Sequence, residues 1–358
     1  MRITLVLKPY AIEVYSYENS VYTLVGIEET TRIQEESLSD YEKRMIFVCK
    51  DLCSDMRASP FFKAVAKKVE GIDIILCAPW CVYDVMQVEK DLEKPTRIEE
   101  SQLNAMRVKK AEDDVYIVES YTSNILLNGY SVQKVEGQMA EHIQFQYVHI
   151  YANKSFATAL LKAIESVFHT HKVVLTSVYG LVERMTSSEK KLAYELRVII
   201  EEESVDIAYT ADGLHIVNTF VPYSYKHLEE AICQKLAANP EMVTSILESR
   251  YQTMQSGILL APGKSAKKLW PDLDQATKDI VNVLVAESID QVIKSIRDCV
   301  DSIGIEYTKD FVAIRIFCLD QALLSLYGNE LSDHIKNDAY IGMKIRIAEE
   351  PISITHIF

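Results

Sequence analysis

The sequence predicts an α/β protein of two similar halves, with a small α+β subdomain inserted into the first. Three observations predict it. A strand meander fills residues 1–28, and a second one fills residues 198–220. Each is followed by amphipathic helical stretches and by continuous apolar runs, the mark of strands buried on both faces. Between them, residues 80–152 carry their own helix and strands. No strict repeat or low-complexity segment is visible.

The elements follow in order. Residues 3–7, 11–17 and 21–27 alternate or run apolar, with hairpin-sized gaps. Residues 37–50 are polar and then apolar and receive no firm assignment. Ser59 caps a helix whose first turn holds Pro60, and Phe61, Phe62, Val65 and Val69 line one face of it. Residues 72–77 are a buried strand. In the insertion, a polar helix over 99–110 precedes strands at 115–119, 125–127 and 143–150, and Asn128-Gly129 marks a turn. Phe156, Leu160, Leu161, Ile164, Val167 and Phe168 form a helical stripe before a strand at 173–178. After the second meander, Asn239 caps a helix with Pro240 in its first turn. Residues 257–274 are loop-rich. Val285, Ile289, Val292, Ile293, Ile296, Val300 and Ile303 mark the best helix of the chain. Residues 311–318 form a buried strand, and 344–358 alternate like another.

Composition bounds the function. A chain of 358 residues suggests two or three domains, and 48% hydrophobic with 25% charged residues suits a soluble globular protein. A net charge of −14 argues against nucleic acid and against unaided docking on an anionic membrane. The first apolar run stops at Lys8-Pro9, too short for a signal peptide, and no stretch approaches the roughly 20 residues of a membrane span. A cytoplasmic protein is expected. Seven cysteines, an odd number, suggest free thiols.

Motifs that could carry chemistry are weak. Gly263-Lys264-Ser265 lacks the earlier glycine of a phosphate loop, since Ile258 stands there. Cys49, Cys53, Cys77 and Cys81 could bind zinc, but each pair adjoins an apolar run, so core packing is the stronger reading. His169 and His171 read as a solvated connection, and Glu201-Glu202-Glu203 as a solvated turn. No metal site, cofactor or catalytic group is expected.

The order of pieces resembles the actin-like proteins FtsA, of cell division, and PilM, of type IV pilus assembly. Residues 125–132, Ile-Leu-Leu-Asn-Gly-Tyr-Ser-Val, are similar to the strand–turn–strand of that family's insertion. Gly137-Gln-Met-Ala140 and the strand after it follow as expected. The helix at 156–168 resembles the return to the first domain. Residues 208–236, with a turn at Asp212-Gly213, resemble the strand, turn, strand and helix of the second. The resemblance implies an actin-like (RNase H-like) fold: lobe 1 from 1–79 and 153–195, an inserted subdomain at 80–152, and lobe 2 at 196–358 with a loop-rich region near 225–280.

Such families hold a nucleotide on glycine-rich loops, and the corresponding positions here are degenerate. Val6 and Lys8 stand for an Asp and a Gly in the first loop. Ile199, Glu201 and Glu202 stand for Asp, Gly and Gly in the second, where Asp206 survives. Leu319-Asp320-Gln321-Ala322 replaces a run of glycines on the adenosine side. Glycine permits the turn and the close backbone approach to phosphate, whereas consecutive glutamates oppose it electrostatically. The expectation is a non-catalytic scaffold of a membrane-associated assembly, PilM-like, gripping a cytoplasmic peptide of a membrane partner. An FtsA-like role or a divergent ATPase are the rivals. The family's grip lies where the insertion meets the first domain, here at Trp80 and Tyr83; Trp and Tyr are favoured interface anchors, though packing of the insertion is the competing role. Self-association stays open. The final residues, 352–358, lack the basic amphipathic anchor of FtsA-like proteins, so direct membrane insertion is not expected.

Overall fold

The computed structural model describes residues 1–18, 21–30, 36–106, 114–132, 134–169, 171–187, 194–211, 214–254, 269–303, 312–318, 329–337 and 345–351. The chain divides into two compact units at Lys191–Leu192.

The first unit is built on strands β1 (Arg2–Leu7), β2 (Ala11–Glu18), β3 (Val21–Glu29), β4 (Gly71–Leu76) and β9 (Lys172–Ser177). Their order is β3-β2-β1-β4-β9, antiparallel through the first three and parallel through the last three. Residues 3–7 of β1 and all of β4 are buried, as continuous apolar runs require. Helix α1 (Leu38–Ala58) covers the sheet together with α4 (Lys154–Val167). The sequence left α1 unassigned because its buried stripe is chemically mixed: Tyr41, Met45, Cys49, Cys53 and Met56. The Ser37 side chain accepts from the Asp40 N–H at 3.2 Å to start it. Ser59 ends α1 and opens α2 (Pro60–Val65), its hydroxyl accepting from the Phe62 N–H at 3.1 Å. Cys77 and Cys81 are also buried, and the Cys49–Cys53 hydrogen bond, ahead of burial, raises the Cys53 thiol well above its ordinary value.

The insertion is a four-stranded antiparallel sheet, β5 (Val82–Arg97), β6 (Val115–Leu127), β7 (Tyr130–Ser131) and β8 (Met139–Asn153), in order β5-β8-β6-β7, with α3 (Glu100–Met106) between β5 and β6. Its strands are longer than the sequence suggests, and β5 went unseen: its burial alternates loosely and it carries seven charged residues. One face buries Ile98, Leu103, Leu127, Ile143, Phe145 and Tyr147. Asn128 and Gly129 take positive φ of 52° and 83°, the backbone that an Asn-Gly hairpin turn needs. The return through α4 starts at Asn153, whose side chain accepts from the Phe156 N–H at 3.1 Å. Helix α5 (Val178–Ser187) follows β9.

The second unit repeats the plan. Strands β10 (Tyr194–Ile200), β11 (Val205–Ala211), β12 (Leu214–Val221), β13 (Val312–Cys318) and β14 (Ile345–Pro351) run in order β12-β11-β10-β13-β14, with the same mixture of antiparallel and parallel pairs. Helices α6 (Tyr225–Leu236), α7 (Pro240–Met254), α8 (Leu269–Asp272), α9 (Gln275–Ile303) and α10 (Asn329–Asn337) complete it. The predicted seam of α9 is real: Val285, Ile289, Val292, Ile293 and Ile296 join one core with Leu196, Val198 and Ile200 of β10. Each such burial contributes roughly 1.5–3 kcal/mol, so this seam outweighs any surface ion pair at about 0–1 kcal/mol. Alternation turns Glu195 and Arg197 to the other face, where Arg197 donates to Glu195 at 2.9 Å and Arg315 lies 3.4 Å from it. The phosphate-loop lookalike at Gly263-Lys264-Ser265 and the turn at Asp212-Gly213 lie outside the described residues.

One buried cation ties four helices. Arg250 of α7 donates to Glu330 of α10 through both terminal nitrogens, at 2.6 and 2.8 Å, and through Nε to Asn282 of α9 at 2.9 Å. It also lies 5.8 Å from the ring centre of Trp270 in α8. Removing it leaves a half-buried carboxylate and Asn282 without this partner, so Arg250→Ala should lose about 2–4 kcal/mol of stability in urea unfolding. Arg250→Lys should recover only part of it, because an ammonium cannot reproduce the two-pronged contact.

His142 of β8 sits between two carboxylates of β5. Its Nδ1 lies 2.7 Å from Asp91 and its Nε2 3.2 Å from Glu89. The hydrogen bond to Asp91, helped by both charges, raises its pKa. The charged form is thus favoured in the folded state. Its contribution should be complete below the pKa of an unfolded histidine, about 6.5, and should vanish as pH rises through the higher folded value. A proton NMR titration should place the His142 midpoint above 6.5, and Asp91→Asn should lower it.

Candidate functional site

The two turns predicted to replace phosphate loops occupy equivalent places. In the first unit, β1 ends at Leu7 and the Lys8 N–H donates to the Ala11 carbonyl at 2.9 Å. In the second, β10 ends at Ile200 and the Glu201 N–H donates to the Ser204 carbonyl at 2.9 Å. Leu7 pairs with Leu76 and Ile12; Ile200 pairs with Cys318 and Val205. The register therefore aligns Lys8 with Glu201, Val6 with Ile199, and Glu13 with Asp206.

The first turn is occupied by the protein's own groups. Lys8 is buried, and its ammonium lies 2.8 Å from Glu13, which also accepts from the Tyr15 hydroxyl at 2.8 Å. The Lys8 carbonyl accepts from the Trp80 indole at 3.1 Å, and the Pro9 carbonyl accepts from the Tyr41 hydroxyl. The Tyr10 carbonyl accepts from the Thr30 N–H at 2.6 Å. Proline has no N–H to offer and that of Lys8 is engaged, so two of the three turn residues cannot donate to a phosphate. Val6 is fully buried.

The second turn is not the solvated run that the sequence suggested. Glu201 is 5% exposed, and Glu202 and Glu203 are half-buried. The start of α6 receives them. The Ser224 hydroxyl donates to the Glu201 carbonyl, and the Lys226 N–H donates to the Glu202 carbonyl at 2.9 Å. The start of α6 thus holds the backbone carbonyls of the turn's first two residues. Ile199 is buried between Asp206 of β11 and Phe317 of β13. Asp320 lies outside the described residues.

Trp80 and Tyr83 differ in accessibility. Trp80 is 4% exposed; it stacks on Phe156 with centres 5.1 Å apart, meets Tyr41 at 5.2 Å, and spends its N–H on Lys8. It is an interior residue, and its role as a direct surface anchor is corrected: both ring contacts and the polar handle are taken. Tyr83, on β5, is half-buried against Tyr179 of α5 with centres 4.7 Å apart, beside Val82, which is 60% exposed. The sequence did not single out Tyr41, Glu13 or Tyr179, because each acquires its partner from a distant segment. The histidine pair divides, with His169 exposed and His171 beside Phe168 at 6.2 Å. Among the described residues, no three His, Cys, Asp or Glu side chains gather as a metal site would need. No helix among them is long and apolar enough to cross a membrane.

Trp80→Ala should therefore lower stability by about 3–5 kcal/mol in urea unfolding, the cost of an emptied core site. A nearly unchanged unfolding curve would contradict its interior role.

No protein-family profile matches the sequence, and no curated protein sequence matches it. Solved structures do. The PilM–PilN type IV pilus biogenesis complex is similar over 98% of this chain and 90% of that one, with a TM-score of 0.55 and 12% identity. Weaker likenesses are the ethanolamine utilization protein EutJ from Carboxydothermus hydrogenoformans, at TM-score 0.45 and 9% identity over 98% of this chain and 84% of that one. Another is a Bacteroides thetaiotaomicron protein with an actin-like ATPase fold, at 0.40 and 10% over 97% and 90%. Two five-stranded sheets of the same order, an insertion after the fourth strand of the first, and the likeness to the PilM–PilN structure give the conclusion: the chain has a two-lobed actin-like fold with an inserted small α+β subdomain.

Proposed function

We propose that this protein is a non-catalytic, PilM-like actin-fold scaffold that sits at the inner face of the cell membrane by binding a cytoplasmic peptide of a membrane partner. The observation that carries the first half is the pair of equivalent turns. A nucleotide loop must present free backbone N–H groups and tolerate four or so negative charges. One turn here has Pro9 and an engaged Lys8 N–H, and the other holds three glutamates with Glu201 interior. Val6 and Ile199 supply no oxygen for Mg²⁺ where the family's aspartates would.

The second half rests on the likeness to a complex whose name joins PilM to PilN, and on the junction between insertion and first domain. There Val82 is exposed and Tyr83 presents part of its ring, while Trp80 behind them fixes the strand's departure. An exposed aliphatic beside an aromatic suits an apolar peptide residue.

Titration with mant-ATP and Mg²⁺ should give no saturable fluorescence change up to millimolar nucleotide, and a micromolar dissociation constant would overturn the non-catalytic reading. For the partner, capture from detergent-solubilised membranes of the native cell should yield a membrane-anchored protein with a short cytoplasmic segment. Tyr83→Ala should lose that capture while keeping a wild-type circular dichroism spectrum. Undiminished capture by the folded variant would remove Tyr83 from the site.

A further inference from the structure

We infer that the insertion is held against the first domain by a carboxylate latch, Glu119, whose receptor is the start of α5 with Gly180 at its centre. Glu119 lies on β6 just past a register shift between Ile117 and Glu119. Such a bulge re-aims a side chain, here off the insertion's sheet and onto a helix almost sixty residues away in sequence. Its carboxylate accepts from the Thr176 hydroxyl at 2.9 Å, the Ser177 N–H at 3.2 Å, the Ser177 hydroxyl at 3.0 Å, and the Arg184 guanidinium.

The proton directions in this network are determined. The Ser177 hydroxyl accepts from the Gly180 N–H at 2.9 Å, so its own proton goes to Glu119. The Thr176 hydroxyl accepts from Arg184 at 2.8 Å, so its proton also goes to Glu119. Both oxygens of the Glu119 carboxylate are thus used as acceptors. The helix start and Arg184 supply the compensating positive charge. Thr176 and Ser177 are buried, while the Arg184 side chain is 42% exposed, so the latch is built on a rigid floor with one side open to solvent.

Gly180 is the steric half of the device. A Cβ placed on it would overlap the Glu119 carboxylate. Its backbone does not take positive φ, so the conformation itself does not call for glycine. Alanine is the better helix former. The position is left bare to admit a carboxylate from another part of the chain. The latch fixes the insertion's angle on the first domain; releasing it lets the insertion move while each part keeps its own core.

Two measurements on the full chain test this. In the wild-type background, Gly180→Ala should lower Tm; in a Glu119→Ala background, the same substitution should leave Tm unchanged or raise it, because the obstacle is gone and helix propensity remains. An equal drop in both backgrounds overturns the latch. In hydrogen exchange, Glu119→Ala should speed the Ser177 amide and the amides of 115–123 by about tenfold or more, the loss of hydrogen bonds to a charged group. The amides of β1, β4 and α1 should keep wild-type rates. Unchanged exchange at Ser177, or acceleration spread equally through β1 and α1, also overturns it.

Discussion

A strand buried on both faces can exist only if neighbours satisfy its backbone on both edges, and β1 and β10 impose that demand on their units. Each is flanked by an antiparallel partner and a parallel one. The parallel partner cannot follow directly, because the chain must cross back over the sheet. The crossovers therefore hold the helices: α1 and α2 between β3 and β4, α6 to α9 between β12 and β13. The same demand places a tight turn at the exit of each central strand, bonded from its first N–H to the fourth residue's carbonyl. The site of functional interest in each unit is thus a by-product of sheet closure.

What fills those turns differs in sign. The first carries a buried ammonium and the second a buried carboxylate, and neither charge is left to the low-dielectric interior alone. Lys8 is met by Glu13 across the hairpin, and the carbonyls of its turn are met by Trp80, Tyr41 and Thr30. The backbone carbonyls of Glu201 and Glu202 are met by the Ser224 hydroxyl and the Lys226 N–H at the start of α6. Both turns are thus closed by contacts from within the chain. With the carbonyls of Lys8 and Pro9 accepting from Trp80 and Tyr41, the first turn is anchored from behind.

The insertion uses the same physics at its root. It leaves β4 through Trp80 and returns to α4 through the Asn153 cap, so both connections are pinned by side-chain hydrogen bonds to backbone. Tyr83 against Tyr179 and Glu119 against α5 add lateral contacts. The first is apolar and non-directional; the second is charged and directional. Together they set orientation more tightly than the two chain crossings could, since each crossing alone leaves rotation about the connector free.

The sequence by itself determined the two meanders, the buried runs, the long seam of α9, the Asn-Gly and Ser-Pro boundaries, and the absence of glycine from the two turns after β1 and β10. All of these are local: periodicity, caps and turn chemistry act within a few residues. Helix α1 escaped because cysteine, methionine and tyrosine form a stripe that reads as mixed, and β5 because an edge strand with many charges shows no clean alternation. Tertiary structure alone decided that Trp80 faces inward, since its neighbours Tyr41 and Phe156 lie 39 residues before and 76 after it. It alone decided that Glu201 is interior, in a turn whose carbonyls are held by Ser224 and Lys226 from later sequence. The meaning of Gly180, a space kept open for Glu119, has no local signal at all: a missing Cβ shows its purpose only when the atom that would collide with it is in view.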